Sequence, residues 1–237
     1  AILKMRDFLR EEKHMRKLLS LLGVVLAFFL LMTSTVQALS LGETVRLESY
    51  GPEVFYGLHG GEMKWSHDGG TWTSYCVERN EYVWPKRYHQ VAGISDRAIE
   101  GGVGDDNPYE DVDYDILDDQ TAWLFWNFSN QTLSGYHGSN ENQRHLQAAI
   151  WYFEDELGGY DTTDWTQAQN WITAADTAVE NGWENNGRVQ VVNLTYGNQA
   201  AQDQLIAAPV PEPTTMLLFG TGLLGLAGLG RKKFFRK

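Results

Sequence analysis

Cysteine, positive charge and long apolar runs are each scarce or confined in this sequence of 237 residues. There is a single cysteine, Cys76, so zinc sites built of several thiolates are excluded by count. Positive charge is sparse between the ends: residues 39–209 hold 27 Asp and Glu against 8 Lys and Arg, a net of −19. So acidic a surface repels nucleic acid and anionic lipid, and neither is expected as a partner. Long apolar runs occur only at the two ends, and no internal repeat or block of low complexity is visible.

Each end reads as an address. Met15 is the better candidate for a start, followed by the basic pair Arg16-Lys17 and an apolar run to Leu31. Val36-Gln37-Ala38 then gives the small-x-small pattern that signal peptidase cuts, so residues 1–38 are expected to be an N-terminal extension and signal peptide. At the far end Pro211-Glu212-Pro213 precedes residues 214–230, which carry no charge. Seventeen residues at about 1.5 Å each cover roughly 25 Å, enough for a thin hydrocarbon core, so a transmembrane helix is expected there. The basic tail 231–237, with Arg231, Lys232 and Lys233 at its start, is expected to stay cytoplasmic, which leaves the bulk of the chain outside.

This tail resembles the PEP-CTERM sorting signal of Gram-negative bacteria in all three parts: Pro211-Glu212-Pro213, the apolar helix and the basic cluster. The resemblance implies recognition by an exosortase, a membrane cysteine protease, and removal of the tail near the tripeptide. It also implies a place in the cell envelope, on the outer surface or in the exopolysaccharide matrix.

Between the ends, residues 39–205 are expected to form one extracytoplasmic domain, with 206–213 as linker. All nine Trp lie in this part, which argues for a real core. Glu43–Glu48, Thr71–Glu78, Tyr82–Val91 and Arg188–Tyr196 read as β, with Gly69-Gly70 as a turn; 197–213 read as linker. Residues 100–119 read as an acidic loop. Asp119–Leu133, Asn140–Leu157 and Asp164–Asn181 read as helices, the second capped by Ser139 or Asn140 and stopped by Gly158-Gly159, the third capped by Asp164. The expected fold is therefore α+β, a β-sheet or sandwich-like portion with an inserted helical portion.

Two segments stand out as chemistry. Cys76 lies in Tyr75-Cys76-Val77 on a strand. Gln147 lies in Gln147-Ala148-Ala149-Ile150-Trp151 on the clearest helix, where Gln147, Ile150 and Trp151 share a face. A buried amide without partners costs roughly 1–3 kcal/mol, so a glutamine bordering an apolar stripe needs an explanation. An odd cysteine in an exported chain leaves an intermolecular disulfide, a reactive thiol or something unusual.

These segments resemble the thioester domains of bacterial surface proteins, which place an aromatic-Cys-aliphatic motif on a strand and a Gln-x-Ala-aliphatic-Trp motif on a helix. Leu146 stands where that family often has Thr. Thr121–Phe125, Leu133–Tyr136 and Trp151–Glu156 extend the likeness over about residues 43–205. The resemblance implies an internal thioester between Cys76 and Gln147, with Tyr75, Val77, Ala149, Ile150 and Trp151 around it, and covalent capture of an amine-bearing partner without turnover. A thiol ionises near pH 8.5 in water, so part of Cys76 is expected as thiolate at neutral pH. Tyr75, Trp123, Trp126 and Trp151 are expected to wall out water.

Other readings stay open beside this one. The runner-up takes Cys76 and Gln147 as core residues of a structural, exopolysaccharide-associated protein, and nine Trp permit a sugar-binding module. A Cys-His hydrolase has His89, His137 and His145 to draw on, but no nucleophile motif surrounds Cys76 and His145 points away from Gln147 on the helix, so no enzyme is expected. Asp111, Asp113 and Asp115 begin like a calcium loop, yet Ile116 and Ala122 occupy positions that an EF-hand gives to Gly and Glu. No metal or cofactor is expected.

Overall fold

The computed structural model describes residues 39–99 and 114–208, together with Gly220. The expected signal peptide, most of the acidic loop, the Pro-Glu-Pro motif, the transmembrane helix and the basic tail lie outside these residues. Among the described residues, no helix is long and apolar enough to cross a membrane.

The architecture is α+β, with three helices standing between two groups of strands in the chain. The strands are β1 (Thr44–Ser49), β2 (Glu53–Phe55), β3 (Leu58–His59), β4 (Met63–His67), β5 (Gly70–Ser74), β6 (Tyr88–Ser95), β7 (Arg97–Ile99) and β8 (Tyr114–Ile116). Helices α1 (Asp119–Ser129), α2 (Asn140–Phe153) and α3 (Thr166–Glu180) follow, then β9 (Val189–Tyr196) and β10 (Gln199–Ala207). Six strands make one antiparallel sheet in the order β10-β9-β6-β1-β4-β5, while β2-β3 and β7-β8 are separate two-stranded ribbons. A sandwich of two large sheets is therefore not what forms.

Instead, the sheet closes on itself. Past the end of β5 the chain swings onto β10: Leu205 N–H donates to Tyr75 O at 2.9 Å, Val77 N–H donates to Asp203 O at 3.1 Å, and Cys76 faces Gln204 in an isolated bridge. The two outer strands of the sheet thus meet, and closure leaves each with fewer open edge groups.

Alternation along the strands sorts side chains between the two faces. On β1, Val45 and Leu47 are fully buried while Thr44 and Glu48 are exposed. Val45, Leu47, Met63, Trp65, Cys76, Val91, Val192 and Leu194 fill the inner cluster. The opposite face carries Tyr75, Val77, Val189, Val191 and Leu205, and the helices pack there. Helix α2 serves both clusters, with Leu146, Ala149 and Ile150 in the outer one and Ala148 and Trp151 in the inner one. Residues 146–151 are consequently all buried, more than one stripe of an amphipathic helix.

The ends of α2 follow its sequence signals. Ser139 Oγ accepts from Asn142 N–H at 3.1 Å, a side-chain cap, and Gly158 and Gly159 take φ of +52° and +92° after the helix. Elsewhere boundaries moved. Helix α1 ends at Ser129, short of Leu133, because Gln131 turns to φ +58° and Leu133 N–H folds back onto Asn127 O. At α3 the cap position is Trp165 and no side chain caps it, so Asp164 does not have that role. Residues 82–87 are not strand: Pro85 lacks a donor and Lys86 sits at φ +61°, so β6 begins only at Tyr88.

The largest correction concerns residues 197–208. Expected as linker, they contain β10 (Gln199–Ala207), a full member of the sheet. Gln202-Asp203-Gln204 made the segment look solvent-borne, yet all three are buried. Gln202 Nε2 donates to Glu78 O at 2.8 Å, Asn193 Nδ2 donates to Asp203 Oδ2 at 2.7 Å, and Trp65 Nε1 donates to Gln204 Oε1 at 3.3 Å. Long-range partners make a polar strand tolerable inside.

Candidate functional site

Cys76 and Gln147 stand 71 positions apart in the chain and meet in the interior. Cys76 Sγ–H donates to Gln147 Oε1 at 3.2 Å, and both residues are fully buried. Barrel closure positions the cysteine. Trp72, Ser74 and Cys76 alternate toward the inner face, and the bridge to Gln204 holds the segment there. The glutamine is set by α2, at the seam where that helix passes from the outer cluster to the inner one.

The amide is held at three points. Gln147 Nε2 donates to Cys76 O at 2.8 Å, and Gln147 Oε1 accepts from both the Cys76 thiol and Gly61 N–H, the latter at 3.1 Å. The carbonyl carbon lies one bond, about 1.2 Å, from that oxygen, so the sulfur is close to the atom it would attack. Gly61 N–H is aimed where negative charge would develop on the oxygen. The backbone can approach this closely because Gly60 has no side chain: a β-carbon there would lie 2.6 Å from Gln147 Cγ.

Electrostatics oppose the thiolate. Burial pushes the Cys76 thiol far above its usual range, and Glu78 and Glu156 add to the rise; its own backbone and the Trp151 indole pull it back only in part. The expectation of a partly ionised thiol fails for this reason: the value in water does not survive the loss of solvent.

The surroundings also differ from expectation. Of the five residues expected around the pair, Trp151 shares the inner cluster with Cys76, whereas Tyr75, Val77, Ala149 and Ile150 turn toward the outer cluster. Neighbours on a strand point to opposite faces, which sends Tyr75 and Val77 away from the sulfur. Trp123 and Trp126 also pack on the outer cluster. The inner wall is made by Trp65, Phe55 and Trp151, with Phe55 stacked on Trp151 at 6.2 Å and on Trp165 at 5.1 Å. Sequence reasoning missed Gly60 and Gly61; the pair Gly60-Gly61 was the available signal.

The histidines serve other ends. His89 packs edge-on to Trp65 at 5.5 Å inside the barrel, and His145 is half-buried with its ring stacked on Trp165 at 5.0 Å. Among the Trp rings only Trp84 is exposed, at 39%, so these residues mainly pack.

Glu78, Glu81 and Asp203 bring one oxygen each within 4.8 Å of one another, the set among the described residues whose geometry could hold a cation. Asp203 is already engaged: it accepts from Ile99 N–H at 2.8 Å, Leu194 N–H at 3.2 Å and Asn193 Nδ2. Burial raises it to about 7 against those bonds, and burial together with the neighbouring carboxyls raises Glu78 well above the carboxylate range. Shared protons suffice to hold such a group together.

Residues 209–232 match the family model of the PEP-CTERM protein-sorting motif. No curated protein and no solved structure matches the chain. The motif is recognised by exosortase, and the chain accordingly carries the signal of an exported, exosortase-processed surface protein.

Proposed function

We propose that this surface protein closes an internal thioester between Cys76 and Gln147 and uses it once, without turnover, to attach covalently to an amine-bearing partner. The observation that carries the reading is the buried contact of 3.2 Å between Cys76 Sγ and Gln147 Oε1. In formation, Sγ bonds to Gln147 Cδ, the Cδ–Nε2 bond breaks, and nitrogen leaves as ammonia with the thiol proton. Because the thiol is held protonated, attack and proton transfer go together. Proximity of sulfur and carbonyl lowers the barrier by several kcal/mol, and Gly61 N–H stabilises the oxyanion. Exclusion of water by Trp65, Phe55 and Trp151 protects the bond once made.

Export places this chemistry where partners are met. We take the signal peptide to be cleaved after Ala38 and the tail to be processed near Pro211–Pro213, leaving the domain on the outer surface or in the matrix of a Gram-negative cell.

A second reading rests on a specific observation: the amide of Gln147 has satisfied hydrogen bonds at both ends, which an inert core residue of a structural matrix protein also requires. Intact mass of the mature protein separates the two. The thioester reading expects a chain lighter by one ammonia, no titratable thiol, and uptake of methylamine with release of one thiol. Full mass with a thiol that titrates on unfolding, and no uptake, would leave Cys76 and Gln147 as packing.

A further inference from the structure

Two clefts open at Glu62, the residue that follows Gly61, and Cys76 and Gln147 line neither. One, of about 370 Å³, is polar and also bordered by Tyr50, Gly51, Asn140 and Gln143; the other, of about 690 Å³, is bordered by Trp72, Leu133 and Tyr136. Gln143 stands one helical turn before Gln147 on the same face of α2. The loop residues match that spacing. Gly61 N–H donates to Gln147 Oε1 at 3.1 Å, and Glu62 N–H donates to Gln143 Oε1 at 3.3 Å. Glu62 is thus the next residue along from the donor that holds the reactive carbonyl.

Its carboxylate is oriented. Tyr136 Oη donates to Glu62 Oε1, and the Tyr136 hydroxyl meets that of Tyr75 at 2.8 Å. Among the described residues no Lys, Arg or His forms an ion pair with Glu62, although Lys64 borders the same cleft. A half-buried carboxylate one residue from the donor that holds the carbonyl, itself held by one hydroxyl, is suited to an ammonium group.

We infer that Glu62 is the docking group and proton acceptor for the incoming nucleophile, which makes the substrate a protonated primary amine of the lysine side-chain type. This rests on the thioester reading. The ammonium gives one proton to Glu62, and its nitrogen attacks Gln147 Cδ. The Cδ–Sγ bond breaks, the electron pair passes to sulfur, and sulfur takes a second proton from the attacking nitrogen. One N–H remains in the isopeptide, Cys76 is a thiol again, and Glu62 releases its proton to solvent.

The test compares a cationic amine, methylamine, with a neutral one, hydroxylamine, on the full mature protein at neutral pH, following uptake by intact mass. Glu62→Gln should still lose ammonia on folding. It should react with methylamine about 100-fold more slowly than the wild type while its rate with hydroxylamine stays within a few-fold. In the wild type alone, added salt should slow methylamine relative to hydroxylamine, because screening weakens only the charged encounter. This second measurement holds if the variant does not fold. A wild type that carries the bond but shows no salt difference, or a variant slowed equally for both amines or for neither, would overturn the role of Glu62 alone. A wild type that never loses ammonia would remove the thioester reading and this inference with it.

Discussion

Gly60 lies flat against the side chain of Gln147: a β-carbon on it would stand 2.6 Å from Gln147 Cγ and 3.0 Å from Gln147 Oε1. The backbone of Gly60 does not occupy the left-handed region, so the demand for glycine there is one of space alone. Gly60→Ala should therefore fold, at a cost of about 1–3 kcal/mol from overpacking. It should displace the amide from Cys76 Sγ and Gly61 N–H together. The expected outcome is a folded protein of full mass with a buried thiol; a variant that still loses ammonia would show that the fit around Gln147 is not needed for the bond.

The cross-link should also be visible as stability. A bond between Cys76 and Gln147 closes a loop of 71 residues in the unfolded chain. The chain-entropy relation puts that constraint at about 4 kcal/mol. Methylamine cuts the link without altering the fold's other residues, so treated protein should unfold at a markedly lower denaturant concentration than untreated protein. Equal midpoints, with methylamine incorporated, would mean that the link does not constrain the unfolded state.

Buried carboxyls give the domain an unusual pH dependence. Burial raises Asp203 to about 7, whereas an unfolded aspartate ionises near 3.9. Between these values the folded chain keeps a proton that the unfolded chain has released. Stability should fall as pH rises from about 4 to about 7, by up to about 1.4 kcal/mol per pH unit for this group. Glu154 and Glu78, raised chiefly by burial, extend the trend upward. Thermal unfolding at a series of pH values checks this, and a midpoint that climbs across the window would contradict it.

Helix α2 presents Gln147, and its start depends on one hydroxyl. Ser139→Ala removes the acceptor for Asn142 N–H and should cost about 1 kcal/mol. Thermal unfolding should register the loss. The cap lies two turns from Gln147, so ammonia loss should be unchanged; a variant that fails to lose it would show that fraying reaches the site.

Much of α2 was legible beforehand. Leu146 and Ile150 recur at helical spacing, Ser139 caps, and Gly158-Gly159 follow, all local features that any chain with those residues would share. Strand β10 was not legible, because a polar run such as Gln202-Asp203-Gln204 enters a core only when Glu78, Asn193 and Trp65 arrive to bond it. The aromatic wall was misassigned for a related reason. Periodicity says that a Trp is buried, but not against which of two clusters.

The sequence by itself determined the sorting tail, the acidity of the stretch between the ends, and a buried glutamine on a capped helix, since each depends on composition or on neighbours within a few residues. Only the tertiary structure decided that Cys76 meets Gln147 and that Gly60 and Gly61 grip the amide. Those juxtapositions exist because the segment after β5 pairs with β10 and shuts the sheet, joining residues more than a hundred positions apart. Hydrogen bonds between distant backbones leave no periodic mark in either segment.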